Sequence, residues 1–477
     1  MKLGSTNKSR VLEAMETIAH KRNKYIRRNR YYYRNLVRFF RFNIPEGASI
    51  LEIGCGTGYL LNALNPSYGK GIDLSPSMVQ IATEQYPHLN FEVMDAENLT
   101  MCETFQYVII SDSLGYLEDI QQVFSELKKV ITPKTRILIS YHNFLWEPAL
   151  WLAQKLRLKM AHPRLNWLNR GDVIGLLQLE GYDVIKCGRR FLFPVYIPLI
   201  SWLFNKYIAN LPLFNSLCLT GYTIARLPEV RPAGNKDFSV SVIIPARNEK
   251  GNIEDAVLRT PEMGKHTEII FVEGNSTDDT LDEIKRVCAA YKDKRDVKYL
   301  VQDGKGKGDA VRKGYDHATG DILMILDADL TVPPGDLPKF YDALATGKGE
   351  YINGTRLVYP MEDEAMRSLN ILGNKFFSIM FSWLLGQRIK DTLCGTKVLT
   401  AENYRKLAAN RAYFGNFDPF GDFDLIFGSS KLNLKFVEVP IRYRARKYGD
   451  TNISRFRHGW LLLRMVAYAS HKIKFKE

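Results

Sequence analysis

The six cysteines, at positions 55, 102, 187, 218, 288 and 394 of 477, form no Cys-x-x-Cys pair and no Cys/His cluster, which argues against zinc and against a disulfide framework. Also missing is any unbroken apolar run of about 18 residues. The best candidates are interrupted by Pro194, Pro198, Asn205 and Lys206, or by Asn370, Asn374 and Lys375, so no bilayer-spanning segment is expected. Residues 1–18 lack the apolar stretch of a secretory leader, and a cytoplasmic setting is expected. There is no internal repeat and no low-complexity tract, and residues 21–41 contain no acid.

The composition is that of an ordinary globular protein, 45% apolar and 25% charged. A formal charge of +14 favours phosphates, nucleotides or anionic headgroups as partners over acidic proteins. The length exceeds one ordinary core. Residues 227–236 combine prolines, a glycine and charges, which reads as a linker. Three segments are expected: a first domain over 1–226, a linker over 227–238 and a second domain over 239–477.

In the first half, β-rich runs at 49–53, 70–73, 89–93, 107–110 and 136–139 alternate with helical patterns, predicting a doubly wound parallel sheet. The first run leads into Glu52-Ile53-Gly54-Cys55-Gly56-Thr57-Gly58, whose glycines let backbone approach a ligand closely. The second ends in Gly71-Ile72-Asp73, placing a carboxylate where ribose hydroxyls would sit, and Met94-Asp95-Ala96-Glu97 follows the third. A dinucleotide site would use Gly-x-Gly-x-x-Gly and a pyrophosphate, which Glu52 would repel; an amino-acid ammonium suits that acid better. The stretch resembles the class I S-adenosylmethionine-dependent methyltransferases. The resemblance implies a Rossmann-like sheet and a cofactor site lined by Glu52, Gly54, Gly56, Gly58, Asp73, Asp95 and Asp112. His142, at a strand end near the expected pocket, is a candidate base for a hydroxyl acceptor. The basic, aromatic stretch at 21–41 is read as an amphipathic helix closing over the cofactor, and nucleic acid is not expected as a partner. Residues 191–213, apolar and broken by prolines, form either an interfacial membrane segment or a cap on the sheet.

The second half carries Met324-Ile325-Leu326-Asp327-Ala328-Asp329, a hydrophobic run delivering two carboxylates two residues apart, the oxygen set a divalent cation on a diphosphate wants. Ile243-Ile244-Pro245-Ala246-Arg247-Asn248-Glu249, Phe271-Val272-Glu273-Gly274 and Asp303-Gly304-Lys305-Gly306-Lys307 accompany it at expected strand ends, where open α/β sheets bind ligands. This ordered set resembles family 2 glycosyltransferases of the GT-A fold, most closely the polyprenyl-phosphate sugar synthases. The resemblance implies that Pro245, Asn248, Glu249 and Glu273 hold base and ribose. It further implies that Asp327 and Asp329 hold Mg²⁺ or Mn²⁺, that Lys307 and Arg356 approach the phosphates, and that Arg446 closes over them. Asp422 and Asp424 are each either a catalytic base or a helix cap. Two departures stand out: Glu273-Gly274 replaces an aspartate pair, and Thr451-Asn452 replaces Ser-Lys after Gly449.

Helices expected at 365–385 and 454–474 are apolar on one side and basic on the other, as membrane-surface helices are. The whole reads as a bifunctional transferase of glycoconjugate and cell-envelope polysaccharide biosynthesis. A nucleotide-sugar would be the donor and a glycan or polyprenyl-phosphate the acceptor, with methylation of a sugar or related acceptor and peripheral membrane contact. A nucleic-acid methyltransferase or a non-catalytic cofactor-binding module in the first half are the alternatives.

Overall fold

The computed structural model describes residues 7–160, 166–358, 368–413, 422–444, 446, 448 and 455–475 and divides into two compact units, Met1–Pro228 and Glu229–Lys474.

In the first unit, α1 (Asn7–Arg28) and α2 (Arg30–Asn43) precede β1 (Ser49–Ile53). There follow α3 (Tyr59–Leu64), β2 (Tyr68–Asp73), α4 (Pro76–Gln85), β3 (Asn90–Val93), β4 (Tyr107–Ser111), α5 (Ile120–Leu127) and β5 (Arg136–His142). The unit ends with α6 (Glu147–Lys155), α7 (Arg170–Leu179), β6 (Asp183–Arg190), α8 (Ile200–Lys206), α9 (Pro212–Asn215) and β7 (Thr220–Arg226). The sheet order is β3-β2-β1-β4-β5-β7-β6. Strands β1 to β5 are parallel and β7 runs antiparallel to both its neighbours. Ile50, Leu51 and Ile53 of β1 are all buried, as a central parallel strand covered on both faces requires. Local signals set the helix starts: Ser75 accepts from the Met78 amide with Pro76 opening α4, and Asn169 and Asp172 form a capping box on α7. Strand order reverses between β1 and β4, which makes their C-terminal ends the place for a ligand.

The second unit contains β8 (Ser239–Ala246), α10 (Ile253–Arg259), β9 (His266–Glu273), α11 (Thr280–Tyr291), β10 (Asp296–Val301), α12 (Lys307–His317) and β11 (Ile322–Ile325). Then come α13 (Leu337–Ala345), β12 (Tyr351–Thr355), α14 (Ser368–Leu385), β13 (Lys397–Thr400), α15 (Ala401–Ala409), α16 (Asp422–Lys431), β14 (Phe436–Pro440) and α17 (Arg455–Ile473). Its sheet order, β10-β9-β8-β11-β13-β12-β14, is parallel from β10 to β11, and β13 enters antiparallel. The reversal here falls between β8 and β11.

Among the described residues no helix is long and apolar enough to cross a membrane. The helices expected at a membrane surface form as α14 and α17, with much of their apolar side turned inward. Phe377, Phe381 and Leu384 of α14 and Leu462, Met465 and Val466 of α17 are buried in one cluster with Ile243 and Phe423 of the same unit. Those side chains pack in the core, while Phe376 and Ile379 of α14 and Trp460 and Leu463 of α17 are exposed.

Candidate active sites

In the first unit the chain leaves β1 through three glycines with left-handed backbone, Gly54, Gly56 and Gly58, a conformation that a side chain at those positions would oppose. At Gly56 a Cβ would also lie 2.5 Å from Nε of Arg22, so that side chain would have to move. The Gly56 amide donates to Oδ2 of Asp73 at 2.8 Å and the Ser75 amide to Oδ1 at 3.0 Å, so β2 presents its terminal carboxylate against the glycine turn. Glu52 accepts from the Leu61 amide at 3.1 Å. Burial drives Glu52 up to about 8 and also raises Asp73, in both cases opposed by the nearby Arg22. These two acids are thus held in a low-dielectric site, where a cationic ligand would restore their charge.

The turn opens into a cavity of about 480 Å³ whose lining includes Glu52, Gly54, Gly56, Asp73, Asp95 and Asp112, with His142 alongside. Gly58 contributes differently: it stands at the start of α3, where a Cβ would collide with Phe91. Tyr32 donates to Oδ2 of Asp112, and Ser140 donates to Oδ1 at 2.9 Å. His142 stacks on the Tyr32 ring, centroids 6.0 Å apart, and burial pushes its imidazole down to about 4, partly countered by Asp112. It is therefore neutral near pH 7 and only weakly basic.

Residues 21–41 form the end of α1 and most of α2, and α1, which begins before that stretch, lines the cavity through Lys8 and Arg22. Helix α1 lies against α4 and is pinned along its length: Lys8 reaches Asp95 and Glu97 at 2.7 Å each, and Glu16 accepts from the Ser75 and Ser77 hydroxyls. Further along, Asn23 accepts from Thr57 at 2.7 Å. Arg22 is buried between these anchors with its Nε unpartnered. Burial opposes its charge, but Tyr33, Asp73, Tyr116 and Glu52 around it prevail. Lys8 and Arg22 are the residues that reading the sequence missed. The acid-free basic stretch was the available signal for Arg22; nothing local marks Lys8.

The donor set fits S-adenosylmethionine. Glu52 and Asp73 offer carboxylates to an ammonium and to ribose hydroxyls, and the guanidinium of Arg22, whose Nε has no partner among the described residues, offers hydrogen bonds to the carboxylate of an amino acid.

In the second unit β8 ends in Pro245 and Ala246, and the following Asn248 has φ 58°. Asn248 is fixed across the cleft: its amide donates to the Ser276 hydroxyl at 3.1 Å and its Oδ1 accepts from the Thr277 amide at 2.8 Å. Glu273, buried at the end of β9, accepts from the Ser276 amide at 2.6 Å. Just beyond β11, Asp327 pairs with Lys307, Oδ1 to Nζ 2.6 Å, and Asp329 Oδ1 accepts from the Thr331 amide and hydroxyl at 3.1 and 2.8 Å. Arg446 bridges two acids, Nη1 to Glu249 at 2.7 Å and Nη2 to Asp329 at 2.8 Å. Arg446 is thereby drawn over the strand ends, and Tyr448 packs on Gly251. Burial alone would raise Asp327, but Lys307, helped by Lys397 and Arg356, brings it below the ordinary carboxylate range. Glu249 stays raised by burial despite Arg446.

Pro245, Asn248, Glu249, Glu273, Lys307, Asp327, Asp329 and Arg446 thus all occur at C-terminal strand edges or in the segment drawn over them. Arg356, expected to approach the phosphates, is engaged within the protein. Its guanidinium forks onto buried Asp391, Nε at 2.7 Å and Nη2 at 2.8 Å, leaving only its charge to bear on Asp327. Asp424 is engaged by Arg411 at 2.9 Å in the packing of α16, and Asp422 opens α16 with its side chain outside the described residues. Space at Asp327 is protected by Gly395, where any Cβ would collide with Oδ2.

A hard divalent cation fits the oxygens of Asp327 and Asp329. Among the described residues no cluster of three or more His, Cys, Asp or Glu is placed to hold a metal. That suits a cation which takes two carboxylates from protein and completes its shell from substrate phosphates and water.

The profile of glycosyl transferase family 2 matches residues 241–406, and that of a methyltransferase domain matches residues 25–186. The chain is 35% identical over 250 residues to the dolichol-phosphate mannosyltransferase of Pyrococcus furiosus, covering 50% of this chain and 67% of that one. It is 29% identical over 226 residues to glycosyltransferase AglJ of Haloferax volcanii, covering 47% and 69%. Other curated relatives are matched over 34% to 63% of their length. The magnesium protoporphyrin IX methyltransferase of Synechocystis aligns at TM-score 0.34 with 16% identity, covering 46% of this chain and 99% of that one. The chain belongs to glycosyl transferase family 2 through its second unit and carries an S-adenosylmethionine-dependent methyltransferase domain in its first.

Proposed function

We propose that this protein is a bifunctional enzyme of glycoconjugate and cell-envelope polysaccharide assembly. Its second unit transfers a sugar from a nucleotide-sugar to a glycan or polyprenyl-phosphate acceptor, and its first methylates a sugar or related hydroxyl-bearing acceptor. The observation that carries the reading is the bridged acid set Glu249–Arg446–Asp329 beside Asp327–Lys307. Carboxylates for a cation and cations for phosphates stand interleaved at one strand edge, where both halves of a metal–diphosphate are matched.

Asp327 and Asp329 would hold Mg²⁺ or Mn²⁺, which stabilises charge on a departing diphosphate. In doing so they exchange Lys307 and Arg446 as partners, leaving those two side chains for the phosphate oxygens. Asn248 and Glu273, held by Ser276 and Thr277, would meet base and ribose. In the first unit the cofactor supplies an electrophilic methyl group. Glu52, Asp73 and Arg22 orient it, and α1 excludes water. His142, neutral and in the cavity wall, accepts the proton of the acceptor hydroxyl. The relatives named mannosyltransferases support a hexose donor and a dolichol-phosphate-like acceptor. Of the basic residues of the N-terminal helices, Arg22 lines the cavity, Arg41 donates to the Ala63 carbonyl at 2.6 and 2.9 Å, and most of the others are exposed.

The test is a screen of nucleotide-sugars with short-chain polyprenyl phosphates, with and without Mn²⁺, alongside radiolabelled methyl transfer to the glycosylated products. Metal-dependent product with at least one donor is expected. Failure of every donor, with S-adenosylmethionine binding intact, would overturn the glycosyl-transfer assignment alone.

A further inference from the structure

The first unit exposes an apolar face that extends well beyond its cavity. It is built from two segments, residues 144–158 and 195–217, which are tied together. The Trp146 indole donates to the Leu217 carbonyl at 2.8 Å, and the Asn143 amide side chain donates to the Ser216 and Cys218 carbonyls at 3.0 and 2.9 Å. Leu199 is 80% exposed, Leu213 78%, Tyr196 64% and Trp151 55%. Large apolar side chains left in water at this density mark an interaction surface.

Charge and aromatic placement identify what the surface meets. Residues 184–228 contain no Asp or Glu, and residues 144–160 hold one acid, Glu147, against Lys155, Arg157 and Lys159. Lys155 lies 3.7 Å over the Trp151 ring and Lys206 5.2 Å over that of Trp202. Tryptophan and tyrosine paired with lysine around an aliphatic centre are what the boundary between headgroups and acyl chains selects, since each ring has an apolar body and each lysine reaches an anionic headgroup. A protein partner of opposite charge would satisfy the lysines but not so many isolated aliphatic tips. Short α8 and α9, broken by Pro198 and Pro212, suit shallow insertion and not spanning.

The same face borders the methyltransferase cavity. Val195 and Leu158 are exposed and also line it, as do Trp146, Leu150 and Pro194. We propose that residues 144–158 and 195–217 dock the methyltransferase unit onto an anionic lipid bilayer, bringing the cavity rim to the headgroup layer. Lipid contact, which the sequence allowed on residues 191–213 as well as on α14 and α17, is thereby assigned to the first of these. The inference stands whether or not the acceptor is lipid-linked.

The experiment is co-sedimentation of the full chain with vesicles of phosphatidylcholine alone and of phosphatidylcholine mixed with phosphatidylglycerol. Wild type is expected to bind the mixed vesicles preferentially. The double variant Leu199→Glu/Leu213→Glu, at two exposed positions, is expected to bind them roughly tenfold less while keeping the circular dichroism and S-adenosylmethionine affinity of the wild type. Lys155→Glu/Lys206→Glu should remove the preference for phosphatidylglycerol. Ile379→Glu, on exposed α14, should bind as wild type does. The proposal is overturned if Leu199→Glu/Leu213→Glu binds as wild type, or if Ile379→Glu carries the loss instead. It is equally overturned if wild type ignores both vesicles while the double variant dissolves a dimer, because the face would then join two copies.

Discussion

The two clefts sit at equivalent places, the C-terminal ends of central parallel strands where the order reverses, yet their acids are held in opposite electrostatic states. In the first unit Glu52 and Asp73 are dominated by burial and raised, Glu52 to about 8. In the second, burial also acts on Asp327, but Lys307 at 2.6 Å, together with Lys397 and Arg356, outweighs it and lowers that carboxyl. In the first cleft the resident Arg22 does not offset burial; in the second the resident cations do. The difference teaches what each receives. Acids short of a counter-ion favour a ligand that brings its own cation, an ammonium with a sulfonium. Acids with resident lysine and arginine favour a ligand that brings anions together with a metal, because the resident cations then gain new partners instead of losing them.

Removing a carboxylate from the second cleft should have the largest effect. Asp327→Ala or Asp329→Ala is expected to lower sugar transfer on the order of a thousandfold, and chelation should abolish it, with methyl transfer untouched in both cases. Equal loss of the two activities would break the comparison, because the clefts would not be separate devices. Next is Glu52→Gln, expected to weaken S-adenosylmethionine binding by about tenfold to a hundredfold, as loss of a charge-assisted bond does. Isothermal titration calorimetry checks it, with sugar transfer as the unaffected control. The same residue sharpens the comparison through pH. With its folded value near 8 against 4.5 for a free carboxyl, Glu52 retains a proton that the unfolded chain has lost. Stability of the ligand-free first unit should therefore fall as pH rises from about 4.5 to about 8, and Glu52→Gln should flatten that slope in thermal melts. Arg22→Ala should weaken cofactor binding about tenfold, read as a rise in KM for S-adenosylmethionine with kcat little changed.

The parts of this contrast that could be read in the chain are those written locally. The strands at 49–53, 107–110 and 136–139 were legible because central parallel strands are near-continuous apolar runs. The glycine turn and Asp327-Ala-Asp329 were legible because each is a short motif at the end of such a run. What could not be read is which cation answers which acid. Lys8 and Asp95 are 87 positions apart, and Arg446 and Glu249 are 197 apart, so only the closed fold brings them together. Arg356 shows the same limit: its motif is visible, but the pairing of its guanidinium with Asp391 depends on how the loop before β13 returns beneath β12. For α14 and α17 the periodicity gave an apolar face correctly and could not say that other side chains, not lipid, cover much of it.

The smallest predicted effect has the opposite sign to the others, and for that reason discriminates best between a lid and a ligand. Lys8 holds Asp95 and Glu97 at 2.7 Å from a side chain that is 29% exposed. Such a partly solvated pair contributes about 0.2–1 kcal/mol. If Asp95 accepts a bond from the adenine amino group, Lys8 competes for it. Lys8→Ala should then tighten S-adenosylmethionine binding by up to about fivefold, while Arg22→Ala on the same helix weakens it. Were both variants to weaken binding equally, α1 would act only as a cover, and the counter-ion shortage of the first cleft would extend no further than Glu52 and Asp73.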